Sequence, residues 1–181
     1  NKDIAYLSTM LMTVSDRMEL DLDRLFRGLR FKSVSESPPP FSTDFIRTKF
    51  LVDGALAGLN AEARAVVLIM IETGARPVEI THLRPQDIRL EDDIPHISIE
   101  PQKDYALKTR YSKRELPIIG VAVEGARILK TGKARYRDNT SSLSALVNKF
   151  FSVNGLRESE RHTLYSFRHA FKDRLTSVSA P

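Results

Sequence analysis

The segment "RHTLYSFRHAFKDRL", residues 161–175, crowds Arg161, His162, Tyr165, Arg168, His169, Lys172 and Arg174 around a few apolar anchors. Tyr165 and Arg168 are three apart and share a face if the segment is helical, with Leu164, Phe167 and Phe171 on the anchoring side. Guanidinium, phenol and imidazole groups so combined suit recognition of an anion or proton transfer beside one. A second arginine, Arg76 in "ETGARPVEITHL", follows a glycine stop and precedes Glu79 by three residues. A carboxylate one turn along can hold such an arginine rigid and aim its fork at an anion, although the same spacing also serves a purely structural ion pair. In "LKTRYSKRELPI", Lys108 stands next to a turn bearing Arg110, Lys113 and Arg114. On a hairpin tip such a lysine can donate a proton to a leaving alkoxide, or simply keep an exposed turn soluble.

Other chemistries find no support. There is no cysteine, which excludes disulfides and thiolate zinc sites and fits a reducing cytoplasm. Neither the His162/His169 spacing nor any acidic partner resembles a zinc motif, His82 and His96 read as structural, and no metal site or cofactor is expected. Gly-rich phosphate loops and the GxSxG elbow are missing, and Asp92 and Asp93 sit where a turn favours acids.

The elements that must position these groups follow from periodicity. Ile4, Leu7, Leu11, Val14 and Met18 recur at helical spacing behind Asp3, and a shorter apolar pattern spans Leu22 to Leu29. "FKSVSESPPPFS" reads as an extended linker, so residues 1–37 are expected to be the end of one helical unit plus linker, and 38–181 the main domain. Ser42 or Thr43 should cap a helix reaching Gly58. Asn60 should cap "AEARAVVLIMIET", a buried central helix closed by Gly74, with Pro77 opening the next. "DIRLEDDIPHISIE" alternates as a hairpin, and "YALKTRYSKRELPI" as two strands around a polar turn. Helices are expected again behind Thr140/Ser141 and from Thr163 onward. The expected fold class is α+β, mainly α, with a small antiparallel sheet inside.

Charge sharpens the choice of partner. The chain carries a net charge of +5, and residues 101–137 hold Lys103, Lys108, Arg110, Lys113, Arg114, Arg127, Lys130, Lys133, Arg135 and Arg137 against Asp104, Glu115 and Glu124. Such a stretch attracts phosphate backbones, or is a solvated face with no partner. The longest apolar run, "AVVLIMI", is too short to span a bilayer, and no membrane association is expected.

Taken in order, the three basic stretches resemble the catalytic domain of tyrosine recombinases, the phage-integrase family. "TGARPVEI" resembles its first arginine box, "LKTRYSKRELPI" its lysine-bearing hairpin, and "LYSFRHAF" its second box. The stretch from "YRDNTSSLSALVNKFF" to "LYSFRHAFKDRL" is most similar to integrases of prophages and genomic islands. The resemblance covers roughly residues 42–175. It implies Arg76 and Arg168 as the catalytic arginines, Lys108 as general acid, and Tyr165, His169 and Glu79 as accessory groups. Arg110, Lys113, Arg114, Arg135 and Arg137 would contact double-stranded DNA. Residues 1–30 would close a helical core-binding domain, and protomers would act as a tetramer on an attachment site in a bacterial or phage-encoded, cytoplasmic setting.

Two departures are visible. Tyr165 occupies the place of the box's leading histidine, so it is no candidate nucleophile. The family's Leu-Gly-His motif and attacking tyrosine do not follow Arg168, since the remaining tyrosines, 6, 105, 111 and 136, all precede it. With a start, "NKDIAYLSTM", that has neither methionine nor a signal pattern, the expectation is a piece of a longer integrase lacking its nucleophile. The alternatives are a non-catalytic DNA-binding or regulatory protein of this fold, and a helical scaffold without a nucleic-acid partner.

Overall fold

The structure is a computed structural model that describes residues 2–19, 37–102, 105 and 112–178. The chain divides into two units, Asn1–Ser37 and Pro38–Pro181. In the first, α1 (Lys2–Met18) forms over the expected apolar spacing but starts at Lys2, one residue ahead of the expected cap. The apolar pattern at Leu22–Leu29 and the first half of the linker, residues 31–36, lie outside the described residues.

The second unit is built around α3 (Ala61–Thr73), which begins where Asn60 accepts a hydrogen bond from the Ala63 N–H at 3.1 Å and ends at Gly74, φ 57°. Val66, Val67, Ile69, Met70 and Ile71 are all buried, so the helix is enclosed on every side, as its unbroken apolar run requires. Against it packs α5 (Val121–Thr131), a helix absent from the sequence reading. Gly125 makes the approach feasible: a Cβ there would meet the Ala65 carbonyl at 2.8 Å and Ile69 Cγ1 at 3.0 Å. That glycine and the charges of Arg127 and Lys130 hid a helix whose inner face is Ala122 and Ala126.

The segment after Ser42 corrects another expectation. It is α-helical only as α2 (Thr43–Phe45), continues as one π-helical turn (Ile46–Phe50) and then breaks into tight turns instead of running to Gly58. In an α-helix, residues five apart point about 140° away from each other. The wider turn, with the Leu51 N–H bonded to the Ile46 carbonyl at 3.1 Å, lets Phe45 and Phe50 both reach Phe41, with ring centroids at 5.7 and 5.2 Å.

Short α4 (Pro77–Thr81) and a 3-10 turn (Pro85–Asp87) lead into the sheet. Strands β1 (Ile88–Arg89), β2 (His96–Ile99) and β3 (Arg114–Pro117) lie in that order, antiparallel, with Ile97 opposite both Ile88 and Leu116. The first hairpin is as expected. Of the second, Tyr105 bridges Gln102, and residues 106–111 lie outside the described residues.

Helices α6 (Thr140–Val153) and α7 (Ser166–Ser177) complete the unit. Phe167 of α7 is buried between Phe41 and Phe50, at 4.9 and 4.8 Å between centroids. The Leu164 N–H donates to Asn148 Oδ1 of α6 at 2.8 Å, which fixes where α7 begins. The result is the expected mainly helical α+β class. Among the described residues, no helix is long and apolar enough to cross a membrane.

Candidate active site

Three elements converge on one cleft. Gly74 ends α3 in the left-handed region, where a side chain would collide with Phe171 at 2.6 Å, and so turns the chain sharply into α4. Arg76 is thereby the N-cap of α4, and Pro77 opens the helix without wasting a backbone donor. The Arg76 N–H donates to Glu79 Oε2 at 2.8 Å and its Nη1 to Glu79 Oε1 at 2.7 Å. Arg114 approaches the same carboxylate from β3, with Nη2 2.9 Å from Oε2 and Nη1 3.2 Å from Oε1. Glu79 is almost fully enclosed, with 1% of its side chain exposed, and every contact is charge-assisted.

Arg168 enters from the first turns of α7, its Nη1 donating to the Gly74 carbonyl. Together with Arg76, Arg114, His169 and Lys172 it lines a cleft of about 480 Å³, floored by Gly74, Phe171 and Leu175. No Asp or Glu is among the described residues on its wall. Lys172 lies one turn beyond Arg168, so its place on the same face was readable from an i, i+4 spacing.

The electrostatics of the cleft are set by three arginines, Arg76, Arg114 and Arg168, that share its wall. Burial is the main cause that lowers the Arg168 pKa and repulsion from Arg76 comes next; Tyr165 and Glu79 act in the opposite sense, and Arg114 adds the smallest repulsion. The guanidinium stays charged, because arginine does not deprotonate in proteins. Burial also acts to lower Arg76, but the hydrogen bond and charge of Glu79, with help from Tyr165, outweigh it and raise the pKa. Burial alone would raise Glu79, yet the arginine contacts, Arg114 first, hold its carboxyl below the usual range. An anion placed in the cleft would relieve the repulsion felt by Arg168.

Tyr165 sits at the N-cap of α7 without capping it, its partly exposed phenol turned toward the Arg76 guanidinium, and its ring lies 5.9 Å from that of His169. Arg76, Glu79, Arg114, Tyr165, Arg168 and His169 are therefore brought together. Lys113 pairs instead with Glu100 at 3.2 Å, and Arg135 is exposed on the loop after α5. The Arg137 guanidinium donates to Gln102 Oε1 at 2.5 Å. Lys108 and Arg110 lie outside the described residues.

The histidines settle into other work. His162 is a clasp: its Nδ1 accepts from the Ser159 N–H at 3.0 Å and its Nε2 faces the Pro40 carbonyl at 3.1 Å. His82 bonds the Val78 carbonyl at 2.8 Å and stacks on Tyr105 at 4.1 Å. Among the described residues, no group of three or more His, Asp or Glu is placed to hold a metal.

Comparison with solved structures adds the fold's relatives. The Tn1549 transposon integrase in complex with a circular intermediate DNA superposes with a TM-score of 0.61 at 14% identity, covering 100% of this chain and 67% of that one. The same integrase with transposon right end DNA gives 0.57 at 15%, covering 98% and 66%. The XerA recombinase gives 0.56 at 13%, covering 100% and 63%. The chain has the recombinase fold. It spans about two thirds of the length of these neighbours. No family model matches the chain. No curated protein sequence matches it either.

Proposed function

We propose that the chain is the catalytic part of a site-specific DNA recombinase, an integrase of prophage or genomic-island type. The reading rests on one observation above others: Arg76 and Arg168, far apart in sequence, meet in a cleft with no carboxylate among the described residues on its wall. Neighbours of the same fold are integrases in complex with DNA, and the basic stretch from 101 to 137 supplies the matching charge here.

In this mechanism a tyrosine outside residues 1–181 attacks a DNA phosphodiester. A 3′-phosphotyrosine bond forms as the bond to the 5′ oxygen breaks, and Lys108 gives that oxygen its proton. Arg76 and Arg168 bind the non-bridging oxygens and stabilise the charge of the transition state, each contributing about 3 kcal/mol. Tyr165, in the histidine's place, donates its phenol to a phosphate oxygen, with His169 beside it. The covalent link conserves the bond energy, so rejoining needs only attack by a 5′ hydroxyl. Arg110, Lys113, Arg135 and Arg137 contact the flanking backbone, and four protomers assemble on an attachment site. By itself the 181-residue chain binds DNA and does not cut it.

The experiment is incubation of the full-length gene product with nicked duplex carrying its attachment site. The expected product is a protease-sensitive adduct on the 3′ side of the cut. DNA binding with no adduct under any condition favours a non-catalytic DNA-binding protein of this fold.

A further inference from the structure

Arg114 lines the cleft, yet its guanidinium is turned to Glu79 on both nitrogens, and Nη1 also donates to the Ser112 carbonyl at 2.8 Å. The same carboxylate receives the side chain and the backbone N–H of Arg76 on its other side. Both Glu79 oxygens are thus fully used by two arginines from different elements, β3 and the N-terminus of α4. We propose that Arg114 is a positioning residue: through Glu79 it holds the Arg76 fork and fastens β3 to α4, and it does not bind DNA itself. This deepens the recombinase reading and rests on it.

The physical case is one of pairing. A buried carboxylate held by one arginine keeps lone pairs unsatisfied and a charge half compensated, which costs more than the lost contact alone. Two arginines meeting without the carboxylate would repel, and Arg76 would turn away from its present line. Arg76 can point into the cleft because Arg114 completes the cage behind Glu79. Among the described residues, the charged and titratable groups around Glu79 are Arg76 on α4, Arg114 on β3, Tyr105 ahead of β3, and Arg168 on α7.

The test uses the full-length gene product and nicked attachment-site duplex, with adduct formation followed from pH 5.5 to 8 and duplex affinity followed against salt. Arg114→Ala is expected to slow adduct formation about 100-fold at neutral pH, the scale of a small misplacement of a catalytic group. The loss should deepen toward low pH, because Glu79 without this partner takes up a proton more readily. Arg114→Lys should recover part of the rate and flatten the profile, and combining Arg114→Ala with Glu79→Gln should remove the pH dependence. The salt dependence of duplex binding should match wild type in all three. A salt slope smaller by about one with an unchanged pH profile would make Arg114 a phosphate contact and overturn the proposal. So would an Arg114→Ala protein that matches wild type in every measurement. If Arg114→Ala does not fold, Arg114→Gln, which removes the charge but keeps hydrogen-bond donors, carries the same salt comparison. A wild type that forms no adduct defeats the recombinase reading instead, and the salt slopes still decide the role of Arg114.

Discussion

At the scale of residues, the decisive feature is how differently two arginines are compensated. Arg76 shares a buried carboxylate, whereas Arg168 is half-buried beside Arg76 and, among the described residues, donates to the Gly74 carbonyl. Arg168→Lys is therefore expected to fail as a conservative change, because a point charge cannot bind two phosphate oxygens as a planar fork does. Adduct rates should fall about 100-fold or more, the usual loss for one transition-state donor. Glu79 makes a prediction about pH. Its folded pKa is lowered, so its contribution to stability is complete above about pH 4.3, the ordinary glutamate value, and is lost as pH falls through the lower folded value. Glu79→Gln should lower stability by about 3 kcal/mol at neutral pH and remove that part of the acid limb, as urea unfolding between pH 2.5 and 7 would reveal. Equal acid limbs in wild type and variant would contradict this.

At the scale of elements, α3 and its two neighbours set the site. Gly125 lets α5 lie directly on α3, so Gly125→Ala, which gains helix propensity, should nevertheless destabilise by about 1–3 kcal/mol through overpacking. Thermal unfolding measures it, and a more stable variant would show that the contact yields. Much of this framework was legible. Asn60, Gly74 and Pro77 mark ends of α3 and α4 through capping chemistry that acts locally. What escaped is tertiary in origin: the helix α5 accepts a mid-helix glycine because packing overrides propensity, and the π-turn at Ile46–Phe50 exists to bring two phenylalanines onto Phe41. The cleft was half legible. Spacing joined Arg76 to Glu79, but nothing local announces that Arg114 meets the same carboxylate across the sheet edge, since that contact depends on register.

At the scale of the whole molecule, the basic surface should make duplex binding fall steeply with salt. Arg135 is exposed, and Arg135→Ala is expected to reduce the salt slope by about one while leaving stability unchanged. Arg137 is tied to Gln102, so Arg137→Ala should cost about 1–3 kcal/mol of stability as well. Parallel salt titrations and denaturation curves separate the two. In the proposed function Arg76 and Arg168 form one clamp on a DNA phosphate undergoing attack. The most direct measurement is the rate of covalent adduct formation on nicked attachment-site DNA by the full-length gene product and its Arg76→Ala and Arg168→Ala variants. Wild type is expected to form the adduct, and each variant to lose it almost completely at unchanged folding. An adduct formed as fast by Arg168→Ala as by wild type would contradict it.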